Sequence, residues 1–136
     1  MFSSTSYNQI IPIKNTSLKL VIKREDLIHP FISGNKYRKL KFNIEKAQEI
    51  NSKSVLTFGG AFSNHIAAVA SAGKAFGLDT IGIIRGEELM FKEDLNPTLQ
   101  FAKACGMHLK FLSRGDYRNK TNSDFITNLK TEFGDF

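Results

Sequence analysis

Two short stretches carry residue types able to do chemistry. The first is Ser33-Gly34-Asn35-Lys36-Tyr37-Arg38-Lys39-Leu40, which reads as a flexible loop turning into a helix with a lysine on its first turn. Gly34 can reach backbone angles that other residues avoid. Ser33 and Asn35 are both good residues for a helix start. Downstream, Tyr37, Leu40, Ile44 and Ala47 recur at helical spacing and predict one buried face. Lys36 falls near the edge of that face, at the positive end of the helix dipole. Dipole and desolvation both disfavour an ammonium there, which favours an amine able to attack a carbonyl and form an imine. Taken alone, the stretch reads better as a solvated lysine on a basic helix.

The second stretch is Gly59-Gly60-Ala61-Phe62-Ser63-Asn64-His65. It follows a short apolar strand, Val55 to Phe58, as a glycine turn that leads into a helix from Ser63 to Phe76. Ligands of open α/β sheets sit at such carboxyl ends of strands. Free amides of Ser63, Asn64 and His65, at the positive end of a helix, would suit a carboxylate or phosphate. The segment is neither G-x-G-x-x-G nor G-x-S-x-G, so it supports neither a dinucleotide fold nor a hydrolase elbow.

The elements around these stretches alternate. Residues Met1 to Ser17 read as an arm with turns, and Leu18 to Ile22 as a short strand. The first helix is expected from about Asn35 to Asn51. The second has a buried stripe of Ile66, Val69, Ala70, Gly73 and Phe76, is slim with alanine, and stops at Gly77. Ile81 to Ile84 is a buried strand, and Arg85 to Leu95 a charged connection. Asn96-Pro97 starts a third helix that ends at Gly106. Met107, Leu109 and Phe111 alternate as a half-buried strand at a sheet edge. Ser113 to Thr121 reads as a polar loop, and Phe125, Ile126, Leu129 and Phe133 mark a last helix. Strand–helix–strand at this spacing means right-handed crossovers and an α/β parallel sheet with flanking helices. The pattern asks for another strand after Phe136.

A chain of 136 residues, 41% hydrophobic, can bury one domain core. The balance is basic, 19 Lys and Arg against 13 Asp and Glu, but apart from Lys36 to Lys41 the charges are spread, as on a solvated surface. We expect neither nucleic acid nor membrane as partner, and a cytoplasmic location. Cys105 is the single cysteine and reads as a small core residue. His29, His65 and His108 lack metal-ligand spacing, and no metal is expected.

The pair G-N-K-x-R-K-L (from Gly34) and G-G-x-x-S-N-H (from Gly59), with Lys23-Arg24-Glu25-Asp26-Leu27 before them, resembles the 1-aminocyclopropane-1-carboxylate deaminase/D-cysteine desulfhydrase family. These are pyridoxal-phosphate enzymes of the tryptophan synthase β-subunit fold, fold type II. The resemblance implies an incomplete N-terminal part of a two-domain enzyme. Residues 1–36 would be an arm and strand of the large cofactor domain, and 37–136 a truncated small α/β domain.

The resemblance also assigns roles. Lys36 matches the lysine that holds pyridoxal 5'-phosphate as an imine and later moves protons. Asn64 matches the residue that hydrogen-bonds the cofactor ring oxygen. Ser63 matches the active-site serine, a nucleophile or proton-transfer group. Ser63, Asn64 and His65 match the cradle of the substrate carboxylate. A small amino-acid substrate and a homodimer of the full-length protein are implied. Other readings stand beside these: Asn35 or Ser63 as a helix cap, His65 covering a helix start, Tyr37 as core, and Arg38, Lys39 and Lys41 as a solvated face. Ala67 stands where many members carry a basic residue. The glycine-rich phosphate loop and the partner of the pyridine nitrogen have no counterpart in these residues. A catalytically inactive α/β module with a binding or assembly role is the alternative.

Overall fold

The computed structural model describes residues 6–92 and 94–136. Met1 to Thr5 of the expected arm and Glu93 of the expected charged connection lie outside the described residues.

Two sheets form. β1 (Asn8–Ile11) and β2 (Leu20–Lys23) make an antiparallel ribbon with Ile10 opposite Val21. The arm therefore contains a strand that its sequence did not announce. Its apolar residues give no burial signal because both faces of the ribbon are open. Ile10, Leu20, Val21 and Ile22 are all exposed. A turn of 3-10 helix (Glu25–Leu27) and a loop lead into α1 (Gly34–Glu49).

The second sheet is parallel and ordered β3 (Ser54–Gly60), β4 (Asp79–Arg85), β5 (His108–Leu112). α2 (Asn64–Phe76) crosses from β3 to β4, and α3 (Pro97–Ala104) from β4 to β5. α4 (Arg114–Arg118) and α5 (Ser123–Phe133) follow. The expected α/β class, parallel sheet and flanking helices are all present. The middle of β4, Ile81 to Ile84, is a continuous buried run because helices cover both its faces. Ile84 packs with α1, α2 and α3 on one side, and Ile81 and Ile83 with Leu129 of α5 on the other.

Local chemistry explains each boundary. α1 buries Tyr37, Leu40, Ile44 and Ala47, the four residues its periodicity predicts. α2 is buried on nearly all sides, and its alanines and Gly73 permit that. A Cβ on Gly73 would meet Thr80 Cγ2 at 2.2 Å. Gly77 ends α2 at φ 67°. Asn96 Oδ1 accepts from the amides of Thr98 and Leu99 at the start of α3, with Pro97 in its first turn. Such a cap contributes about 1 kcal/mol.

The expected polar loop from Ser113 contains α4 instead, started by Ser113 Oγ accepting from the Asp116 amide. The Ser113 hydroxyl in turn donates to Asp116 Oδ2 at 2.7 Å, which holds the cap in place. Among the described residues, no helix is long and apolar enough to cross a membrane.

Candidate active site

Lys36 is the third residue of α1. The turn before it is built from backbone. Ser33 is extended, at φ −123° and ψ 167°, and its carbonyl accepts from the amides of Lys36 and Tyr37 at 3.2 and 3.5 Å. Gly34 takes φ 58°, an angle that costs glycine nothing. Asn35 lies inside the helix, so it does not cap it, and the Ser33 side chain makes no capping bond.

Arg38, two residues past the lysine, is not simply solvated. Its Nε and Nη2 donate to the two oxygens of Glu25 at 3.0 and 2.8 Å, and Ser6 Oγ donates to the same carboxylate at 2.6 Å. The bidentate pair ties α1 to the 3-10 turn. Arg38 first, then Ser6, holds the Glu25 carboxyl down to about 2.

The two glycines do not form a turn, contrary to the sequence expectation. Gly59 and Gly60 are the last residues of β3, opposite Ile84 and Arg85. The turn is Ala61-Phe62, closed by the Ser63 amide donating to the Gly60 carbonyl at 3.1 Å. The glycines differ in what surrounds them. A Cβ on Gly59 would lie 2.5 Å from Ile66 Cγ1, whereas one on Gly60 would meet nothing within 4 Å. Gly59 serves close packing of α2, and Gly60 leaves open space at the strand end.

Ser63 is the N-cap of α2, and its Oγ accepts from the His65 amide at 3.2 Å. The expected cradle of three free amides is thus reduced. The Ser63 and His65 amides are engaged within the chain, while among the described residues no acceptor faces the Asn64 amide. The His65 side chain goes to the sheet, with Nε2 2.9 Å from Thr57 Oγ1. Burial, then the charges of Lys36 and Lys39, lowers its pKa from the ordinary 6.5.

A cavity of about 720 Å³ lies between the loop before α1, the first turn of α2 and the start of α3. Lys36 and Asn64 both line it, with Asn35 and Ser33 beside them and Phe31 and Phe101 as an aromatic wall. Ala67 lines it too, where the resemblance would place a basic residue. Ser63 and His65 are not on its lining. His65 lines a second groove of about 610 Å³, between α1 and the free edge of β3. Phe31 and Phe101 have ring centroids 4.6 Å apart. Their contribution to the wall had no signal in the sequence, since they lie 70 positions apart and meet only through the fold.

An amine, two carboxamides and the hydroxyls of Ser33 and Thr98 around a partly apolar cavity can bind a small polar molecule and offer it a nucleophile. Comparison with known proteins shows what the chain is similar to. The chain is 34% identical over 116 residues to the Arabidopsis thaliana bifunctional D-cysteine desulfhydrase/1-aminocyclopropane-1-carboxylate deaminase, mitochondrial. The match takes in 84% of this chain and 29% of that protein. The chain resembles the 1-aminocyclopropane-1-carboxylate deaminase/D-cysteine desulfhydrase family.

A solved structure of an ACC deaminase homologue superposes with a TM-score of 0.72 at 29% identity, over 93% of this chain and 39% of that one. A hydrogen sulfide-producing enzyme of Fusobacterium nucleatum shares the fold, with a TM-score of 0.61 at 14% identity, over 93% of this chain and 39% of that one. No family model matches. The chain thus spans well under half the length of these relatives.

Proposed function

We propose that this chain supplies the reacting lysine of a pyridoxal-phosphate-dependent enzyme that deaminates a small amino acid, of the D-cysteine desulfhydrase or 1-aminocyclopropane-1-carboxylate deaminase type. The observation that carries this reading is the meeting of Lys36 and Asn64 on one cavity wall. The similarity to the Arabidopsis enzyme supports it.

The donor set fits one end of the cofactor. The Lys36 amine suits its carbonyl carbon, and the Asn64 carboxamide suits its ring oxygen. The open space at Gly60 lets a planar ring approach the strand end. The phosphate grip and the partner of the pyridine nitrogen belong to other parts of the whole protein, as does the choice between the two substrates. The bound cofactor would supply an electron sink for the substrate carbanion.

The chain's own residues bind, orient and move protons. Lys36 Nζ holds the cofactor and then serves as a proton carrier. The Asn64 amide offers one hydrogen bond to a substrate carboxylate at the positive end of α2. Ser63 Oγ joins this set when the whole site is assembled. Residues 1–36 belong, in this reading, with the larger cofactor domain and 37–136 with the smaller one, and two copies of the full-length protein pair.

The test is the visible absorbance of the full-length protein supplied with pyridoxal phosphate. A lysine-bound band is expected, and Lys36→Ala should abolish it. A wild-type protein without any such band would sink the reading. Pyruvate, sulfide and ammonia from D-cysteine, or 2-oxobutanoate and ammonia from 1-aminocyclopropane-1-carboxylate, then separate the two activities.

A further inference from the structure

We propose that His29 is a positioning residue. Its Nδ1, by accepting from the backbone amides of Phe31 and Ile32, holds in place the loop that forms one wall of the Lys36 cavity. The role toward Lys36 rests on the reading of that lysine as the reacting amine; the capping role does not.

The geometry is specific. Nδ1 receives the Phe31 amide at 3.2 Å and the Ile32 amide at 3.1 Å. A ring nitrogen that accepts two hydrogen bonds bears no proton, so the neutral ring carries its hydrogen on Nε2. Pro30 lies inside the turn and offers no amide of its own. Ile32 is fully buried, and a buried amide without a partner costs as much as its desolvation. The imidazole supplies that partner.

The consequence reaches the cavity by two routes. Phe31 is 54% exposed, so burial does not fix it; the capped turn is what brings its ring against Phe101 of α3. Ser33 follows immediately, and its carbonyl receives the Lys36 amide that opens α1. A loosened turn would therefore shift both the aromatic wall and the residue that aims the lysine. Nothing in the proposed chemistry requires His29 to touch substrate or cofactor.

The experiment compares three variants of the full-length protein by hydrogen exchange of the peptide containing Phe31 and Ile32. Asparagine carries an acceptor oxygen near the place of Nδ1, while glutamine carries it nearer the place of Nε2. His29→Ala should speed exchange about tenfold, the effect of losing one acceptor shared between two amides, and His29→Gln likewise. His29→Asn should stay within about threefold of the wild type. Unchanged exchange in His29→Ala, or no difference between the Asn and Gln variants, overturns the proposal. Should His29→Ala fail to fold, the Asn and Gln pair decides alone.

A second measurement follows pyridoxal phosphate uptake in the same proteins. Loss in His29→Gln with retention in His29→Asn supports the role toward Lys36, and equal uptake in all variants overturns it. A wild type that takes up none, while exchange keeps the expected order, supports the cap and ends the cofactor reading instead.

Discussion

His65 Nε2 lies 2.9 Å from Thr57 Oγ1, and this contact splits the Ser63-Asn64-His65 triplet between two sides of one helix start. Asn64 lines the cavity that holds Lys36, while His65 lines the groove along β3. Three adjacent residues in one motif thus do not line one cavity among the described residues. A helix turns about 100° per residue, which is enough to send the Asn64 and His65 side chains to different sides of the start of α2.

The half-buried His65 imidazole predicts a pH dependence of stability. Burial, followed by Lys36 and Lys39, lowers the His65 pKa from 6.5. In the unfolded chain the ring takes up a proton as pH falls below about 6.5, and in the folded chain it resists. The contribution is therefore complete above that pH and declines below it. Replacing His65 by Gln, which keeps a polar atom near Nε2, should flatten the decline between about pH 7 and 5 in urea unfolding. Identical slopes for variant and wild type would refute this. Thr57→Val should cost about 1 kcal/mol at neutral pH through the lost hydrogen bond.

The Glu25–Arg38 pair titrates in a different window. Arg38 and Ser6 hold the Glu25 carboxyl at about 2, against an ordinary 4.5. A lowered carboxylate stabilises above its unfolded value and loses that contribution as pH falls toward its folded one. Glu25→Gln should therefore weaken the acid dependence of unfolding between about pH 4.5 and 2 and leave the slope above it unchanged. An unaltered acid limb would show that the pair is too solvated to matter, as many surface pairs are.

The two glycines of β3 should behave oppositely. An added methyl at Gly59 would sit 2.5 Å from Cγ1 and 2.7 Å from Cδ1 of Ile66, a fully buried side chain with little room to swing. Gly59→Ala should lower stability by about 1–3 kcal/mol, as overpacked cores do. Gly60→Ala has free space and should leave thermal unfolding unchanged. Equal melting temperatures for the two variants would contradict the assignment of packing to one and open space to the other.

These contrasts show where the sequence was legible. Periodicity placed α1 and its four buried residues because one amphipathic face against a core has a period of its own. Asn96-Pro97 and Gly77 marked helix ends because caps are local chemistry. The α/β class followed from element order, and the pairing of the lysine and Ser-Asn-His motifs led to a resemblance that the Arabidopsis match upholds. β1 was missed because a ribbon exposed on both faces leaves no burial pattern. The glycines were read as a turn because glycine in a strand gives the same letters whether it bends the chain or makes room for Ile66. The Ser63 hydroxyl on the His65 amide matches the helix-cap reading of Ser63, whereas the bond from the Ser63 amide to the Gly60 carbonyl depends on a turn at Ala61-Phe62 that the glycines obscured.

Ser63 is where a cap and a catalytic group can be told apart. Its hydroxyl accepts the His65 amide, so Ser63→Ala should cost about 1 kcal/mol by loss of an N-cap alone. Asparagine caps about as well as serine, so Ser63→Asn should restore most of that stability. A carboxamide cannot serve as a nucleophile in place of a hydroxyl, and it is a poor proton carrier. If Ser63 takes part in turnover, the full-length Ser63→Asn protein should melt close to the wild type, bind pyridoxal phosphate, and lose kcat by about 100-fold or more, in line with a general acid–base contribution. Restored turnover along with restored stability would leave Ser63 as a cap for α2 and would move the proton-transfer work wholly to Lys36.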